Sequence, residues 1–316
     1  MERFHHWLPE YAATFQNISE NVCSTTLHDY FNPPPGLDKL NACYFHTDCI
    51  IQNLTETRKA NIASASVLLG LMPTLLASLA PSIAEITLLS LDRPFFSLVV
   101  SLAVPSLYPT RTLEYDDPFE VLKRYSESGM LDSVNHRLGR ALHLVSYAVA
   151  VGSIINIVFA VVLVSSSTIL SWGCLNWYMP LIWVLLPAFI HLVSAVPFQL
   201  AFSDRSQRES LLANIIKLPN VVFKRISQEN GDSSNPEALG NHQQPPWFVV
   251  FTSCAASVGA FIHLALGIYI FSSLLFVPVN DALSFISRLI LTVFAARLVI
   301  ILEIAHMSRL RRPSEP

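Results

Sequence analysis

A chain of 316 residues would ordinarily form one large soluble domain or two smaller ones. Its composition excludes both, because 52% of the residues are hydrophobic and only 14% are Asp, Glu, Lys or Arg, against roughly 25% charged residues in a typical soluble protein. With a mean hydropathy of +0.45, the chain has too little charge for a water-soluble surface and is predicted to be an integral membrane protein. The net charge of −3 excludes a basic nucleic-acid-binding protein.

Long apolar stretches, four of them without Asp, Glu, Lys or Arg and the fifth with Arg288, Arg297 and Glu303, predict five membrane-spanning helices, since a bilayer core of about 30 Å takes about 20 apolar residues of helix. These stretches are residues 62–82, 142–168, 177–202, 248–277 and 283–305. A further apolar stretch, 94–109, would reach only about 24 Å as a helix, and Pro105 and Pro109 weaken its second half. We therefore expect an all-α polytopic bundle of five transmembrane helices in which 94–109 is embedded without crossing. A six-span bundle is the alternative.

Positive charges indicate the orientation, because Lys and Arg accumulate in cytoplasmic loops. Residues 111–141 and 203–247 each carry five of them and the tail, 306–316, is also basic, whereas 169–176 and 278–282 carry none. This alternation predicts that the loop 111–141, the loop 203–247 and the tail are cytoplasmic. The loop 203–247 is expected to begin as an amphipathic helix and to end as a disordered segment.

With five spans, residues 1–61 lie outside and are predicted to form a small luminal or extracellular cap. Asn17 and Asn53 each begin an acceptor sequence for N-glycosylation, which is used only in the secretory pathway. Four of the five cysteines fall on that same oxidising side, an even number that predicts disulfides of open connectivity: Cys23, Cys43, Cys49 and Cys174. One feature favours the opposite orientation and six spans, namely Arg58 and Lys59 directly before the first span. The expected location is the plasma membrane or an endomembrane of the secretory pathway.

Four polar side chains are predicted to lie near the mid-plane, each about 20 Å from the assigned end of its helix. They are Asn156, His191, His263 and Arg297. One interpretation is a shared polar pocket in which the histidines and the amide supply acceptors for the arginine. The interpretation that the sequence favours is a set of interhelical hydrogen bonds that fix helix register.

Acidic side chains are expected at the cytoplasmic boundary: Glu85, Glu114, Asp116, Asp117 and Glu303. Carboxylates in this region could bind a divalent ion. The favoured interpretation of Asp117-Pro118 is a helix start, since Asp before a Pro at the first helical position is a good N-cap. The sequence contains no glycine-rich phosphate loop and no His-Glu-x-x-His motif. We therefore predict no metal site, no cofactor and no catalytic residue.

Residues 43–90, CYFHTDCIIQNLTETRKANIASASVLLGLMPTLLASLAPSIAEITLLS, resemble a family of multi-pass membrane proteins from filamentous fungi. Proteins of that family have a cysteine-containing outer segment and no assigned activity. The resemblance covers about a sixth of the chain. It implies a similar topology and a fungal source, and it carries over no catalytic residue.

Two functions of different classes follow from these observations. The leading hypothesis is a non-enzymatic membrane protein that senses, scaffolds or passes a lipophilic small molecule, with the lipid bilayer as its partner. The alternative is a membrane-embedded enzyme of secondary metabolism, of the cyclase or transferase type, acting on a lipid or terpenoid. A solvent-reached cavity holding two or more of the boundary carboxylates would favour the enzyme. The number of subunits is not predicted.

Overall fold

The computed structural model describes residues 3–108, 115–127, 136–202 and 245–310, and these are almost entirely helical. The eleven α-helices in these ranges are α1 (Ala12–Asn17), α2 (Ser24–Phe31), α3 (Lys39–Gln52), α4 (Glu56–Leu79), α5 (Ile83–Asp92), α6 (Pro94–Ala103), α7 (Pro118–Glu127), α8 (His136–Ser167), α9 (Met179–Phe202), α10 (Trp247–Ser272) and α11 (Val279–Leu310). Two short strands, β1 (Ile169–Leu170) and β2 (Leu274–Leu275), form an antiparallel pair. Residues 203–244, which include most of the predicted cytoplasmic loop, and the tail from 311 onward lie outside the described residues.

Five of these helices, α4, α8, α9, α10 and α11, are long and apolar enough to cross a membrane. This confirms the predicted all-α bundle of five transmembrane helices. Large apolar side chains on their outward faces, such as Leu144, Phe189 and Leu291, are mostly exposed, as expected for surfaces that meet lipid. The bundle has a cap end, where α4 begins, and an opposite end, here called the far end, where α9 stops at Phe202.

The first span is interrupted, which the sequence analysis did not predict. α4 ends at Leu79, and Ala80 is extended (φ −69°, ψ 156°) because it precedes Pro81. A Cβ built on Gly267 of α10 would lie 3.0 Å from Pro73 of α4. Since α4 ends six residues after Pro73 and α10 runs antiparallel to it from Trp247 to Ser272, the break lies level with the middle of α10. The first predicted span, 62–82, is confirmed as α4, which ends three residues earlier than that stretch, at Leu79.

After the break, α5 continues toward the far end and α6 returns, so that the two form a hairpin. Along α5, the Thr87 hydroxyl lies 2.7 Å from that of Ser194, and Gln199 donates to the Ser90 carbonyl at 2.8 Å. α5 therefore runs beside the second half of α9. The turn is at Arg93, and the returning chain meets the break again where Tyr108 N–H donates to the Pro81 carbonyl at 3.1 Å. The two ends of the segment 83–108 therefore lie at the same depth in the bundle. We call α5 and α6 together the hairpin.

The residues before α4 pack into a cap on one end of the bundle. Two disulfides hold it, Cys23–Cys49 within the cap and Cys43–Cys174 between α3 and the loop after α8. All four cysteines predicted to share a compartment are therefore paired in the structure. Arg3 adds a second tie to α8 through the carbonyl oxygens of Ser165 and Thr168. A small core gains most from such cross-links because it buries too little apolar area alone.

Candidate functional site

Glu85 is the centre of the first of two polar clusters on the hairpin. Ser82 caps α5 by accepting from Glu85 N–H at 3.2 Å, while the Glu85 carboxylate accepts from Ser82 N–H at 2.8 Å. This reciprocal capping box fixes the carboxylate in the first turn of α5. The same carboxylate forms an ion pair with Arg297 of α11 and accepts from the Tyr125 hydroxyl of α7 at 3.0 Å. Glu85 is only 6% exposed, so these three partners replace its hydration.

Tyr125 joins the hairpin to α7, which packs against the far end of the bundle. Burial and the neighbouring Glu85 carboxylate raise the pKa of Tyr125 to about 12. The phenol therefore stays protonated at neutral pH and acts as a hydrogen-bond donor to Glu85. On the same helix, Phe119 contacts Phe198 and Phe202 of α9 with ring centroids 5.7 and 5.3 Å apart.

Glu303 is the centre of the second cluster, at the turn of the hairpin. Arg93 donates to Glu303 Oε2 at 3.0 Å, and His143 Nδ1 lies 2.9 Å from the other carboxylate oxygen. The Arg93 guanidinium also contacts the His143 ring. The His306 ring stands edge-on to His143 with 5.0 Å between centroids. Glu303 is fully buried, so its charge depends on Arg93 and His143 for compensation.

The two clusters have a common design. The hairpin contributes one acid, Glu85, and one base, Arg93, and α11 contributes the complementary base and acid, Arg297 and Glu303. An isolated charge inside a membrane bundle is costly, whereas an ion pair with additional hydrogen bonds is tolerated. We call the two arginine–glutamate pairs together the double latch, since they connect the hairpin to α11 at two points along its length.

The remaining predicted boundary carboxylates have separate surroundings. Asp117 accepts from Phe119 N–H at 3.0 Å at the start of α7, which confirms the N-cap interpretation. Burial raises the pKa of Asp116, opposed by Arg124, while the Glu85 carboxylate raises it further. Glu114 lies outside the described residues. Within the described ranges, no three His, Cys, Asp or Glu side chains are grouped so as to hold a metal ion.

The four polar residues predicted at mid-depth are not joined to one another by any hydrogen bond of the described chain. Arg297 pairs with Glu85 instead of the expected imidazoles or amide. Asn156 donates to the Thr292 hydroxyl at 2.8 Å, which ties α8 to α11. The described hydrogen bonds therefore join each of the four to other residues, and a polar pocket lined by them stays a prediction. Counting residues gives the depth of a side chain but does not fix the direction in which it points.

Both histidines of this set have interhelical partners. His263 Nε2 donates to the Trp183 carbonyl at 2.9 Å, and Trp183 Nε1 donates back to the His263 carbonyl at 3.0 Å. Their rings stack with 4.8 Å between centroids. His191 Nε2 lies 3.3 Å from the Ser97 hydroxyl of α6. These contacts join neighbouring helices and so fix the register of one helix against the next.

The cap carries both predicted glycosylation acceptors on exposed side chains. Asn53 lies in the turn that ends α3. Asn17 lies in α1, and the hydroxyl of its acceptor Ser19 is buried against His46 Nε2 at 2.9 Å. A cleft of about 390 Å³ also opens on the cap, lined in part by Asp29, Phe45 and Asp48. It contains none of the predicted boundary carboxylates.

Comparisons with protein-family models, curated proteins and solved structures find no match to this chain. The function is therefore argued from its own geometry.

Arg93, His143 and Tyr125 belong to the two clusters but were not singled out from the sequence. A signal for the broken span was present, because Pro81-Ser82-x-x-Glu85 is the signature of a new helix start. That signature also shows why Glu85 lies in the first turn of a helix inside the bundle, where Arg297 can reach it.

Proposed function

We propose that this protein is a non-enzymatic multi-pass membrane protein that senses or passes a lipophilic small molecule, with the hairpin as its moving part. One observation carries the proposal: a half-depth helical hairpin follows a broken span and is connected to α11 by two arginine–glutamate pairs whose carboxylates are buried. Discontinuous helices of this kind place helix ends at mid-depth, where transport proteins have their binding sites. Three roles were predicted from the sequence. The discontinuous helix favours sensing or passing a small molecule rather than scaffolding.

The physical argument concerns how the hairpin is attached. Between helices in lipid there is no hydrophobic driving force, so association depends on close packing and polar contacts. The hairpin meets α11 through two ion pairs and meets α9 through the hydroxyl pair Thr87–Ser194 and the Gln199 bond. Polar contacts of this kind are directional and can be exchanged for others. A bound molecule that favours a displaced hairpin would therefore shift the protein between two arrangements.

The enzyme alternative receives less support from the same residues. It required boundary carboxylates in a cavity where they could stabilise a cation or hold magnesium. Glu85 and Glu303 are instead buried and each is paired with an arginine. A carboxylate whose charge is already compensated is a poor general base and a poor metal ligand.

Ligand-dependent thermal unfolding in lipid nanodiscs tests the proposal. The probes are a sterol, a prenyl alcohol, a long-chain alcohol, a fatty acid and a fatty acid methyl ester. A molecule that binds only the folded protein at 100 times its Kd stabilises it by about 2.7 kcal/mol. We expect at least one class to raise the unfolding temperature with a saturable concentration dependence. An unrelated membrane protein in the same nanodiscs corrects for effects on the bilayer, and equal shifts in both proteins for every class would overturn the proposal.

We also propose that the cap faces the lumen or the cell exterior and that the far end faces the cytoplasm. The cap holds four cysteines in two disulfides and two exposed acceptor asparagines, features that suit an oxidising compartment. Expression in a eukaryotic host should give a glycosidase-sensitive gel shift that persists in Asn17→Gln and disappears in Asn17→Gln/Asn53→Gln. Cytoplasmic protease protection of a tag at residue 1 is the independent readout. A digestible tag and no glycosidase shift would reverse the orientation and support the six-span alternative.

A further inference from the structure

Buried hydroxyl groups are concentrated on the hairpin, on the segment that follows it and on the part of α9 that it meets. All of them are at most 4% exposed, although this region is otherwise apolar. They belong to Thr87, Ser90, Ser97, Ser101, Ser106 and Ser194. His191 of α9 lies among them and is 2% exposed. A polar group at this depth needs a hydrogen-bonding partner, because no bulk water replaces one that is missing.

The hydrogen bonds around Ser97 determine which nitrogen of His191 carries the proton. A hydroxyl has one hydrogen, and we assign that of Ser97 to the Pro94 carbonyl at 2.9 Å rather than to His191 Nε2 at 3.3 Å, because the first contact is the shorter. The Ser97 oxygen can therefore only accept from His191, which makes Nε2 the protonated nitrogen. In the neutral ring Nδ1 is then an acceptor with a free lone pair.

That acceptor is unsatisfied. His191 Nδ1 has no hydrogen-bonding partner within the described part of the chain, and neither has the hydroxyl of Ser106, which is fully buried on the segment that follows α6. Native proteins satisfy nearly all such groups, so a buried acceptor that the described residues leave unpaired calls for a donor from outside the chain.

We propose that His191 Nδ1 accepts a hydrogen bond from the hydroxyl group of a lipophilic alcohol bound between α6 and α9. The inference rests on the proposed function and names the class of its ligand. The free lone pair requires a donor, which excludes ethers, esters and ketones as primary ligands. A protonated amine would bring an uncompensated charge to mid-depth, whereas a neutral hydroxyl on a hydrocarbon body does not. Water has the same donor chemistry and is the competing source.

Photolabelling with a matched pair of probes tests this assignment. One probe is a long-chain alcohol with a diazirine in its chain, and the other is the same molecule as its methyl ether, which has no donor. In wild-type nanodiscs we expect the alcohol to label peptides of α6 and α9 at least ten times more than the ether does. Excess unlabelled alcohol, but not unlabelled ether, should abolish the labelling. Equal labelling by both probes would overturn the assignment without requiring any variant.

Two substitutions locate the acceptor. His191→Phe preserves the ring size and removes Nδ1, so labelling by the alcohol should fall to the level of the ether. Ser167→Ala is the control, because it removes a buried hydroxyl at the last residue of α8, outside the hairpin and α9, and it should label like wild type. Undiminished labelling of His191→Phe would contradict the proposal.

Nitrogen-15 NMR of histidine-labelled protein separates the two hydroxyl sources. Addition of the long-chain alcohol should move the Nδ1 signal of His191, while the ether leaves it unchanged. If that signal already shows a hydrogen bond without alcohol and the alcohol does not alter it, the donor is water and the assignment falls. The proposed function fails separately: if alcohol and ether stabilise the protein equally, only this inference is lost. If no probe class stabilises the protein, both are lost.

Discussion

Removal of the arginine from the first pair of the double latch should destabilise the bundle. In Arg297→Met, the Glu85 carboxylate keeps only the Ser82 N–H and the Tyr125 hydroxyl as partners. Breaking a fully buried pair on one side costs about 3–5 kcal/mol. The Glu85 side chain is 8% exposed but that of Arg297 is 29% exposed, so we expect a smaller loss, about 2–3 kcal/mol. At about 1.5 °C per kcal/mol for a chain of 316 residues, from an unfolding entropy of about 2.1 cal/mol/K per residue, the unfolding temperature should fall by roughly 3–5 °C.

The double variant separates loss of a charge pair from loss of packing. Glu85→Gln retains the capping box, since Gln serves at that position as well as Glu. Glu85→Gln/Arg297→Met should therefore recover at least half of the stability lost in Arg297→Met, because no buried charge remains. Unfolding can be followed by the fluorescence of buried tryptophan, including the fully buried Trp183. The reasoning is refuted if Arg297→Met unfolds within 2 °C of wild type, or if the double variant is no more stable than Arg297→Met.

Three further predictions concern other contacts. Burial lowers the pKa of His46 in the cap from 6.5 to about 4, so the contribution of the neutral ring to the free energy of unfolding is complete above pH 6.5 and is lost as the pH falls through 4. Between these pH values His46→Gln should therefore lose less stability than wild type, by on the order of 2 kcal/mol, which unfolding of the cap measured against pH would show. Gly267→Ala should cost about 1–3 kcal/mol, since its Cβ would lie 2.7 Å from Trp183 Cε2, whereas Gly152→Ala, with nothing within 4 Å, should unfold like wild type. Cys43→Ser opens a cross-link that spans 131 residues and should lower stability by about 4–5 kcal/mol in the chain-entropy treatment; a loss below 1 kcal/mol would show that the cap holds without it.

The five spans and the paired cysteines were predictable because each depends on composition over a long segment. An uncharged stretch of 20 or more residues has few alternatives to a membrane helix. The Lys and Arg residues of 111–141 and 203–247 alternate with loops that have neither, and that alternation predicts four cysteines on one side. The structure pairs the same four.

The interruption of the first span was missed because the stretch 62–82 is uniformly apolar and its composition does not change at the break. Only local chemistry marks it: Pro81 restricts the residue before it, and Ser82 with Glu85 forms a capping box. The consequence is large, since α5 then begins at mid-depth and carries Glu85 to Arg297.

The partners of the mid-depth residues could not be predicted for a different reason. Rise per residue gives the depth of Asn156 or His263, but the rotation of each helix is set by packing against its neighbours. His263 faces Trp183 because Gly267 lets the indole approach, a relation between two helices that no single-chain spacing reveals. Arg93 illustrates the same limit, since its partner Glu303 lies 210 residues away in the sequence.

The most direct test of the account is to lock the hairpin and measure ligand-dependent stabilisation. The side-chain oxygens of Thr87 and Ser194 lie 2.7 Å apart, so Thr87→Cys/Ser194→Cys should form a disulfide between α5 and α9 in a Cys254→Ser background. In nanodiscs, the lipophilic probe that raises the unfolding temperature of the two single-cysteine variants should have little effect on the cross-linked protein, because the hairpin can no longer move. The same stabilisation in the cross-linked protein and in both single variants would contradict a moving hairpin, and with it the proposed function.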